Sequence, residues 1–577
     1  MRLQTTKSKN AESFYVVKSI YRNGKRSNVI VEKLGTLPEV IKRANGEDPY
    51  EWAKAYVEKL NIEEKESKEP VFVEFSPYAM LKENDNRTFN GGYLFLQQIY
   101  HTLKLHKICY AISSKHSYEY SLSAILGNLI YAQILSPSSK LSAGEYSKKF
   151  LEGFHCDIHQ IYRALSVIAS ESDFIMKELY KNSTKIIKRN TSVLYYDCTN
   201  FFFEIEEAKG IRQYGISKEH RPNPIVQLGL FMDADGIPLA FCVNEGNTNE
   251  QTTMKPLEQK IISDFGKSKF VVCTDAGLSS VANRKFNNVA DRAFVTTQSV
   301  KQLKSHLKEW ALSPDGWSLN GKDKYNINEI EEDKFYDYTF FKERWINENG
   351  LEQRLIVTYS VKYRNYQASI RNEQIERALK SMADKSQKTD RYKQNDYKRF
   401  IRRTSVTPDG EIADKKVYSL NDELISEESR YDGFYAVCTN LEDDVQTIIK
   451  INKRRWEIEE SFRIMKTEFK ARPVYLSRDD RIKAHFTICV LSLIIFRLLE
   501  KKLDEIYTVT EIIKTLQGMN FYELVGKGYI PLYQRSKLTD ELHEKFDFRT
   551  DYEIISSKNM KKIFYSTRNP KHCAVED

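Results

Sequence analysis

The sequence predicts a mixed α/β protein in which a helical region precedes a strand-rich core, and a second β-rich segment interrupts that core before late helices complete it. Three observations carry this reading. Apolar residues recur at helical spacing from about 88 to 190, short β-branched and aromatic runs follow from 192 to 298, and the next clear strand and long helical pattern return only after residues 300–432, whose texture differs. With 577 residues, 41% hydrophobic and 12% aromatic, the chain can bury a core, and 23 Gly with 14 Pro exclude a collagenous or low-complexity chain. The first ten residues lack the apolar run of a secretory signal. The most apolar stretch, Ile488 to Phe496, is shorter than the ~20 residues of a bilayer span. No membrane and a cytoplasmic location are therefore expected, and the eight scattered cysteines, without a Cys-x-x-Cys pair, read as reduced and buried.

Residues 13–34 form two β-prone runs around Asn23-Gly24, a hairpin signal because a type I′ turn needs positive φ at both central positions. A Glu/Lys-rich stretch at 61–69 reads as a linker, and the helical spacing from 88 to 190 is interrupted at Pro137. Ser192–Asp197 is a short apolar strand ending in a carboxylate, with a second strand expected through Phe201–Glu204. Ile225–Met232 and Ile237–Val243 flank Asp233-Ala-Asp-Gly236, a hairpin turn; a helix is expected near 253–263, then Lys269–Asp275, another apolar strand ending in Asp, and Ala293–Gln298. Three early strands joined by hairpins, then a helix, then further strands match the opening order of a ribonuclease-H-like sheet. Within 300–432 the runs Phe335–Phe341 and Arg354–Tyr359 are β-prone and 372–382 is helical; Gly433–Thr439 is a strand, a long helix begins near 444, and 480–503 is another.

The formal charge is +9, yet two segments hold more than that total. Residues 1–33 carry eight Lys/Arg against two Glu, and residues 385–403, which include Arg399, Arg402 and Arg403, carry eight against two Asp with Tyr392, Tyr397 and Phe400 interleaved. Clustered cations with aromatics suit a phosphate backbone, whose counterions they release; a solvated loop fits the same pattern.

The informative helix is Ile451–Phe469. At about 100° per residue, Ile458, Phe462, Met465 and Phe469 make an apolar stripe, and Arg455, Glu459 and Lys466 fall within about 40° of one another along its edge. Glu457 and Glu460 fall elsewhere, so spacing singles out Glu459. Asp197 and Asp275 at strand ends with a Glu on a helix make a divalent-metal site of hard oxygen ligands; a surface ion-pair row and Asp residues at ordinary turns fit the same positions.

Asp197–Glu204, Gly215–Asn223, Gln227–Leu230, Gly236–Pro238 and Gly246-Asn-Thr-Asn-Glu250, together with Arg455-Trp-x-Ile-Glu459, Phe462, Lys466 and Arg472–His485, resemble the catalytic domain of bacterial insertion-sequence DDE transposases. The similarity is to the subgroup with a Tyr-x2-Arg-x3-Glu-x6-Lys signature and a β-rich insertion before the Glu; it covers about 190–500, and the signature Tyr falls on Asn452. The resemblance implies that Asp197, Asp275 and Glu459 hold two Mg²⁺ ions, with Mn²⁺ able to substitute, and that Arg455 and Lys466 contact DNA phosphates. Lys218 and Arg221 are further phosphate candidates that also fit as solvated loop charges. Trp317 and Trp345 would stack on a flipped base or fill a core, and His155–His159 would bind zinc or lie on the surface.

The implied organisation is a basic hairpin region at 1–87 that binds DNA, a helical region at 88–190, a ribonuclease-H-like core at 191–299 and 433–503, a β-rich insertion with a basic cluster at 300–432, and a C-terminal region at 504–577 for dimerisation or DNA contact. The implied function is that of a cut-and-paste transposase acting as a homodimer on double-stranded DNA, both element ends and target, in nucleoid-associated cytoplasm. A catalytically silent DNA-binding descendant and a stand-alone nuclease are the alternatives; strand transfer separates them.

Overall fold

The apolar runs between 192 and 298, with that at 433–439, form strands of one sheet, and the helices expected near 253–263 and from about 444 pack on its two faces. In this computed structural model residues 1–8, 11–22, 25–66, 70–78, 80, 83, 85–321, 323–383, 396–406 and 412–570 are described, the side chains of 20–22, 25–27, 63–66, 403–406 and 412–417 excepted. The chain divides into two units. One comprises Met1–Thr88, Phe521–Pro531 and Thr550–Lys562; the other runs Phe89–Asn520, Leu532–Arg549 and from Ile563 onward.

In the first unit β1 (Arg2–Lys7), β2 (Glu12–Arg22) and β3 (Lys25–Thr36) form an antiparallel sheet, followed by α1 (Leu37–Ala44) and α2 (Pro49–Glu66). The strands pair up to Arg22 opposite Lys25; the expected Asn23-Gly24 turn between them lies outside the described residues. Thr36 and Glu39 close a capping box at the start of α1. Phe14, Val16, Leu34, Val40, Ala53 and Val57 make this unit's core. Residues 61–66, expected as linker, instead complete α2: Ala53 and Val57 bury its earlier turns, and the Glu and Lys residues that follow are good helix formers.

Residue 88 opens β4 (Thr88–Asn90), and the helical region of the second unit is α3 (Tyr93–Thr102), α4 (Leu105–Ser113), α5 (Leu122–Leu135), α6 (Lys140–Ser147), α7 (Ile158–Ser170) and α8 (Ser172–Ser183). The break at Pro137 separates α5 from α6, whose N-terminus Ser139 caps. Next come β5 (Val193–Phe202), β6 (Ile225–Asp233), β7 (Pro238–Glu245), α9 (Glu250–Phe265), β8 (Phe270–Thr274), α10 (Val281–Phe286) and β9 (Arg292–Gln298). Residues 300–432 contribute α11 (Ser305–Leu312), β10 (Phe340–Glu348), β11 (Leu351–Tyr359), α12 (Val361–Ala383), β12 (Ile401–Val406), β13 (Ile412–Leu420) and α13 (Asp422–Ser429), and then β14 (Phe434–Thr439) follows.

The main sheet has the order β10-β11-β14-β9-β8-β5-β6-β7, with β8 parallel to both β5 and β9 and all other neighbours antiparallel. Two strand expectations change. Phe201 and Phe202 belong to β5 rather than to a second strand, because their pairing with Val226 and Ile225 continues without a break. The run Phe335–Phe341 begins as turn: Phe335 packs its ring on Tyr325 and Phe340, and the strand starts only at Phe340. Both β10 and β11 extend the main sheet, whereas β12 and β13 pair with each other beside a small core of Ala378, Phe400 and Ile401.

Alternation along the strands sends Leu194, Tyr196 and Cys198 to one face, where Met254, Leu257 and Ile261 of α9 cover them. Tyr195, Cys273, Val295 and Val437 face the other way, against Ile448 and Ile449 of α14 (Val445–Lys453). The helix expected from about 444 to 469 is broken: α14 ends at Lys453, α15 spans Trp456–Arg463, and Ile464–Glu468 is a π-turn. Last in this region, α16 (Asp479–Lys502) packs on α5 and α7. Among the described residues it alone is long and apolar enough to cross a membrane, but 89% of its apolar window is buried inside the protein. The seven described cysteines form no disulfide, and five are buried.

One buried ion pair ties the helical region to the sheet. Arg189, in the segment before β5, donates to Asp233 at 2.6 Å with both side chains shielded, and also to the carbonyls of Ile237 and Pro238 at 3.0 Å. Arg189→Met should cost about 3–5 kcal/mol, because it strands a buried carboxylate. Arg189→Met/Asp233→Leu should recover much of that loss. Denaturant midpoints of the full chain check this, and an unchanged midpoint for the single variant would contradict it.

Candidate active site

The parallel register of β5 and β8 builds the centre of the site. Tyr195 lies opposite Cys273, so two residues further on Asp197 comes level with Asp275, the first residue beyond β8. Asp197 shares the face of Tyr195, the one covered by α14. Its Oδ1 accepts the Cys198 N–H at 2.7 Å, while Asp275 Oδ1 accepts the Leu278 N–H at 2.9 Å. Burial and then the nearby Asp275 charge push the Asp197 carboxyl up to about 6, against the opposing pull of Lys218 and Arg455.

Cations surround this pair. Lys218, from the loop after β5, donates to the Cys198 carbonyl and pairs with Glu250 at 3.2 Å. Burial works against its charge, but Asp197 and Glu250 outweigh that and raise its pKa. Lys466 is 15% exposed, lies 5.6 Å from the centre of the Phe201 ring, and sits 3.6 Å from Glu219, which also pairs with Arg472. Burial and the adjacent Lys218 lower Lys466 to about 8. The π-turn accounts for this placement: the Phe469 N–H reaches back to Ile464 O at 3.0 Å, which rotates Lys466 away from the position an unbroken α-helix would give it.

Glu459 is placed differently. Its carboxylate is held by Arg455 at 3.1 Å and is 57% exposed. Among the described residues no group of three His, Cys, Asp or Glu gathers as a metal cage; the β5–β8 register and the effect of the Asp275 charge on Asp197 relate these two residues, whereas Glu459 pairs with Arg455. Between them stands Arg455, whose charge faces Glu459, Asp275 and Asp197. Glu457 and Glu460, which spacing set aside, pair with Arg454 and Arg463. Beside Glu459 a cavity of about 360 Å³ is lined by Tyr363, Tyr435, Asn452, Arg455 and Trp456 among others. Asn452, at the signature Tyr position, is buried and donates to the Tyr435 hydroxyl at 2.9 Å; the phenols lining this cavity come from Tyr435 of β14 and Tyr363 of α12.

The transposase DDE domain model matches residues 200–495, just over half of the chain. The chain belongs to the transposase DDE domain family. Asp197 lies three residues before the matched span, and Asp275, Glu459 and Lys466 lie within it. Among curated proteins none matches. A solved structure of piggyBac transposase, a synaptic complex with hairpin DNA, is 8% identical over 85% of this chain and 91% of that one, with a TM-score of 0.34, a likeness too loose to bear on the fold.

DDE transposases generally depend on divalent metal ions. The Asp pair of this transposase domain suits one: two carboxylates lie one strand apart, and the ionised form of Asp197 is disfavoured by burial and like charge, which a hard cation would relieve. Mg²⁺ commonly takes only one or two carboxylates and completes its shell with water and substrate phosphate, so the pair fits without Glu459.

The remaining candidates are dispersed. Arg221 is exposed and lies 4.2 Å over the Phe202 ring. Arg399 is engaged by Glu428 and Gln374, and Arg402 is exposed with Glu423 at 4.0 Å. The side chain of Arg403 lies outside the described residues, as do all of residues 385–395. Trp317 is fully buried, while Trp345 is 46% exposed. His155 and His159 are exposed, and the Asp157 between them caps α7. Sequence reasoning missed Glu250; the available signal was an acid directly after Asn249, the N-cap of a helix that follows a strand.

A raised carboxyl pKa means that the folded chain binds the proton more tightly than the unfolded chain. The stabilisation is full below the ordinary value of 3.8 and is lost as pH rises to about 6. At neutral pH the ionised Asp197 is therefore a liability to the metal-free fold. Asp197→Asn, which keeps the acceptor for Cys198, should raise the melting temperature of the metal-free protein at neutral pH by about 1–3 °C. The gain should shrink as pH falls below 6, and an equal or lower melting temperature at neutral pH would contradict this reading.

Proposed function

We propose that this protein is a cut-and-paste DNA transposase that binds the terminal inverted repeats of its element, hydrolyses phosphodiesters there and joins the freed 3′-hydroxyls to target DNA. The observation that carries the proposal is the Asp197–Asp275 pair ringed by Lys218, Arg455 and Lys466: an anionic pair that favours a cation, inside a cationic rim that favours phosphate. The sheet supports a ribonuclease-H-like core, since β7, β6 and β5 are antiparallel neighbours, α9 follows, and β8 and β9 add in parallel beside β5. Residues 300–432 would be an insertion in that core.

Asp197, Asp275 and Glu459 would hold two Mg²⁺ ions, replaceable by Mn²⁺, which when bound supply an activated hydroxyl nucleophile and a stabilised leaving oxygen. Glu459 reaches the pair once a DNA phosphate takes over Arg455, its present partner. Lys466 contributes a point charge to the scissile phosphate from a sheltered position, and Lys218 keeps the Asp197 side of the rim positive. Two ends must be joined, so the working form is a homodimer on DNA in the nucleoid.

Cleavage of a duplex spanning the element's end and its flank, followed over time on both strands, tests the proposal. Asp197→Ala, Asp275→Ala and Glu459→Ala should each reduce cleavage by about 10³-fold or more, the scale on which loss of transition-state charge stabilisation falls. Chelation should abolish cleavage, and Mg²⁺ or Mn²⁺ should restore it. Full activity in the Asp197 or Asp275 variant would overturn the site; cleavage without strand transfer would leave a nuclease.

A further inference from the structure

Lys140, in the first turn of α6, is 4% exposed, and nothing in the proposed reaction uses it. Its ammonium donates to Gln133 Oε1 at 2.9 Å, and the Gln133 amide in turn donates to the Phe469 carbonyl at 2.6 Å. Phe469 is the residue on which the π-turn closes, and the Ala471 N–H reaches Met465 O at 2.9 Å just beyond it. From the other side His485 of α16 brings Nε2 to 3.1 Å from the Ala471 carbonyl. Carbonyls at a helix end have no intrahelical partner. Here they are met by buried polar groups from α5 and α16, one of them oriented in turn by a lysine on α6.

That arrangement is costly. Burial holds Lys140 below the usual lysine range, and an apolar side chain of similar size would fill the space without a desolvation penalty. A satisfied buried network does, however, specify one geometry where apolar packing would accept several. The geometry it specifies is the end of the turn that aims Lys466 towards Phe201 and Asp197. We infer that Gln133 and Lys140 are positioning residues for Lys466, locking the π-turn in the register that shelters its amine against Phe201 on the Asp197 side of the site. The inference deepens the proposed function and rests on it for the DNA contact alone.

Gln133→Glu separates the two links, since a carboxylate still accepts from Lys140 but has no N–H for the Phe469 carbonyl. In the full chain, competitive amine labelling of Lys466 across pH, read by peptide mass spectrometry, should show a midpoint of about 8 in the native protein. In Gln133→Glu the midpoint should rise towards the ordinary lysine value. Binding to a short random-sequence duplex should weaken about tenfold in Gln133→Glu and in Lys466→Met, with the double variant no weaker than either, as for one lost charge-assisted contact. An unmoved labelling midpoint, or additive losses in the double variant, would overturn the positioning role. Unchanged duplex binding in Lys466→Met would instead sink the DNA contact, while the labelling midpoint still judges the positioning. Should Gln133→Glu fail to fold, Lys140→Met, which removes the partner that orients the amide, takes its place under the same criteria.

Discussion

The parallel pairing of β5 with β8 is the constraint on which the rest depends. It sets Asp197 level with Asp275 on a face that α14 closes, so two carboxylates meet with limited access to water. Such a pair is unfavourable unless something positive answers it. The chain answers with Lys218 after β5, Arg455 at the start of α15 and Lys466 in the π-turn, three cations from three separate elements. The charges of a centre built this way suit a hard cation within and phosphate around it, the two charge types that a transposase must bring together.

Charge alone does not hold these groups in place. Glu250 steadies Lys218, and the π-turn, gripped from behind by Gln133 and His485, steadies Lys466. Arg455 is the exception, because its partner Glu459 is the third carboxylate that the proposed chemistry needs. The metal-free arrangement is thus complete in its cations and incomplete in its acids, and DNA is the ligand whose phosphates would exchange those partners.

Much of the sheet was legible because β-branched runs with turn chemistry between them fix strands locally: β6, β7, β8, β9 and β14 fall where apolar, β-prone runs and Asp-Gly or Gly signals put them. Asp275, just beyond β8, was legible for the same reason, whereas Asp197, expected at a strand end, lies within β5 because its pairing with β6 continues through Phe202. What local pattern does not encode is the break at Arg454–Arg455 and the extra residue in the π-turn, so a helical wheel drawn through 451–469 groups Glu459 with Lys466 although their neighbours in space differ. Glu250 was hidden because its role depends on Lys218, over thirty residues earlier in the chain. Over residues 61–66 the linker expectation failed because a Glu/Lys-rich run reads as solvated whether it is coil or the outer turns of a helix such as α2; residues 67–69 lie outside the described residues.

The most direct measurement of the central claim is a Mn²⁺ titration of the full chain without DNA, followed by the paramagnetic resonance of free Mn²⁺. If the aspartate pair is the cation site, binding should disappear in Asp197→Asn and in Asp275→Asn and persist in Glu459→Gln. Binding that survives both aspartate variants, or that Glu459→Gln removes as completely as they do, would contradict the account.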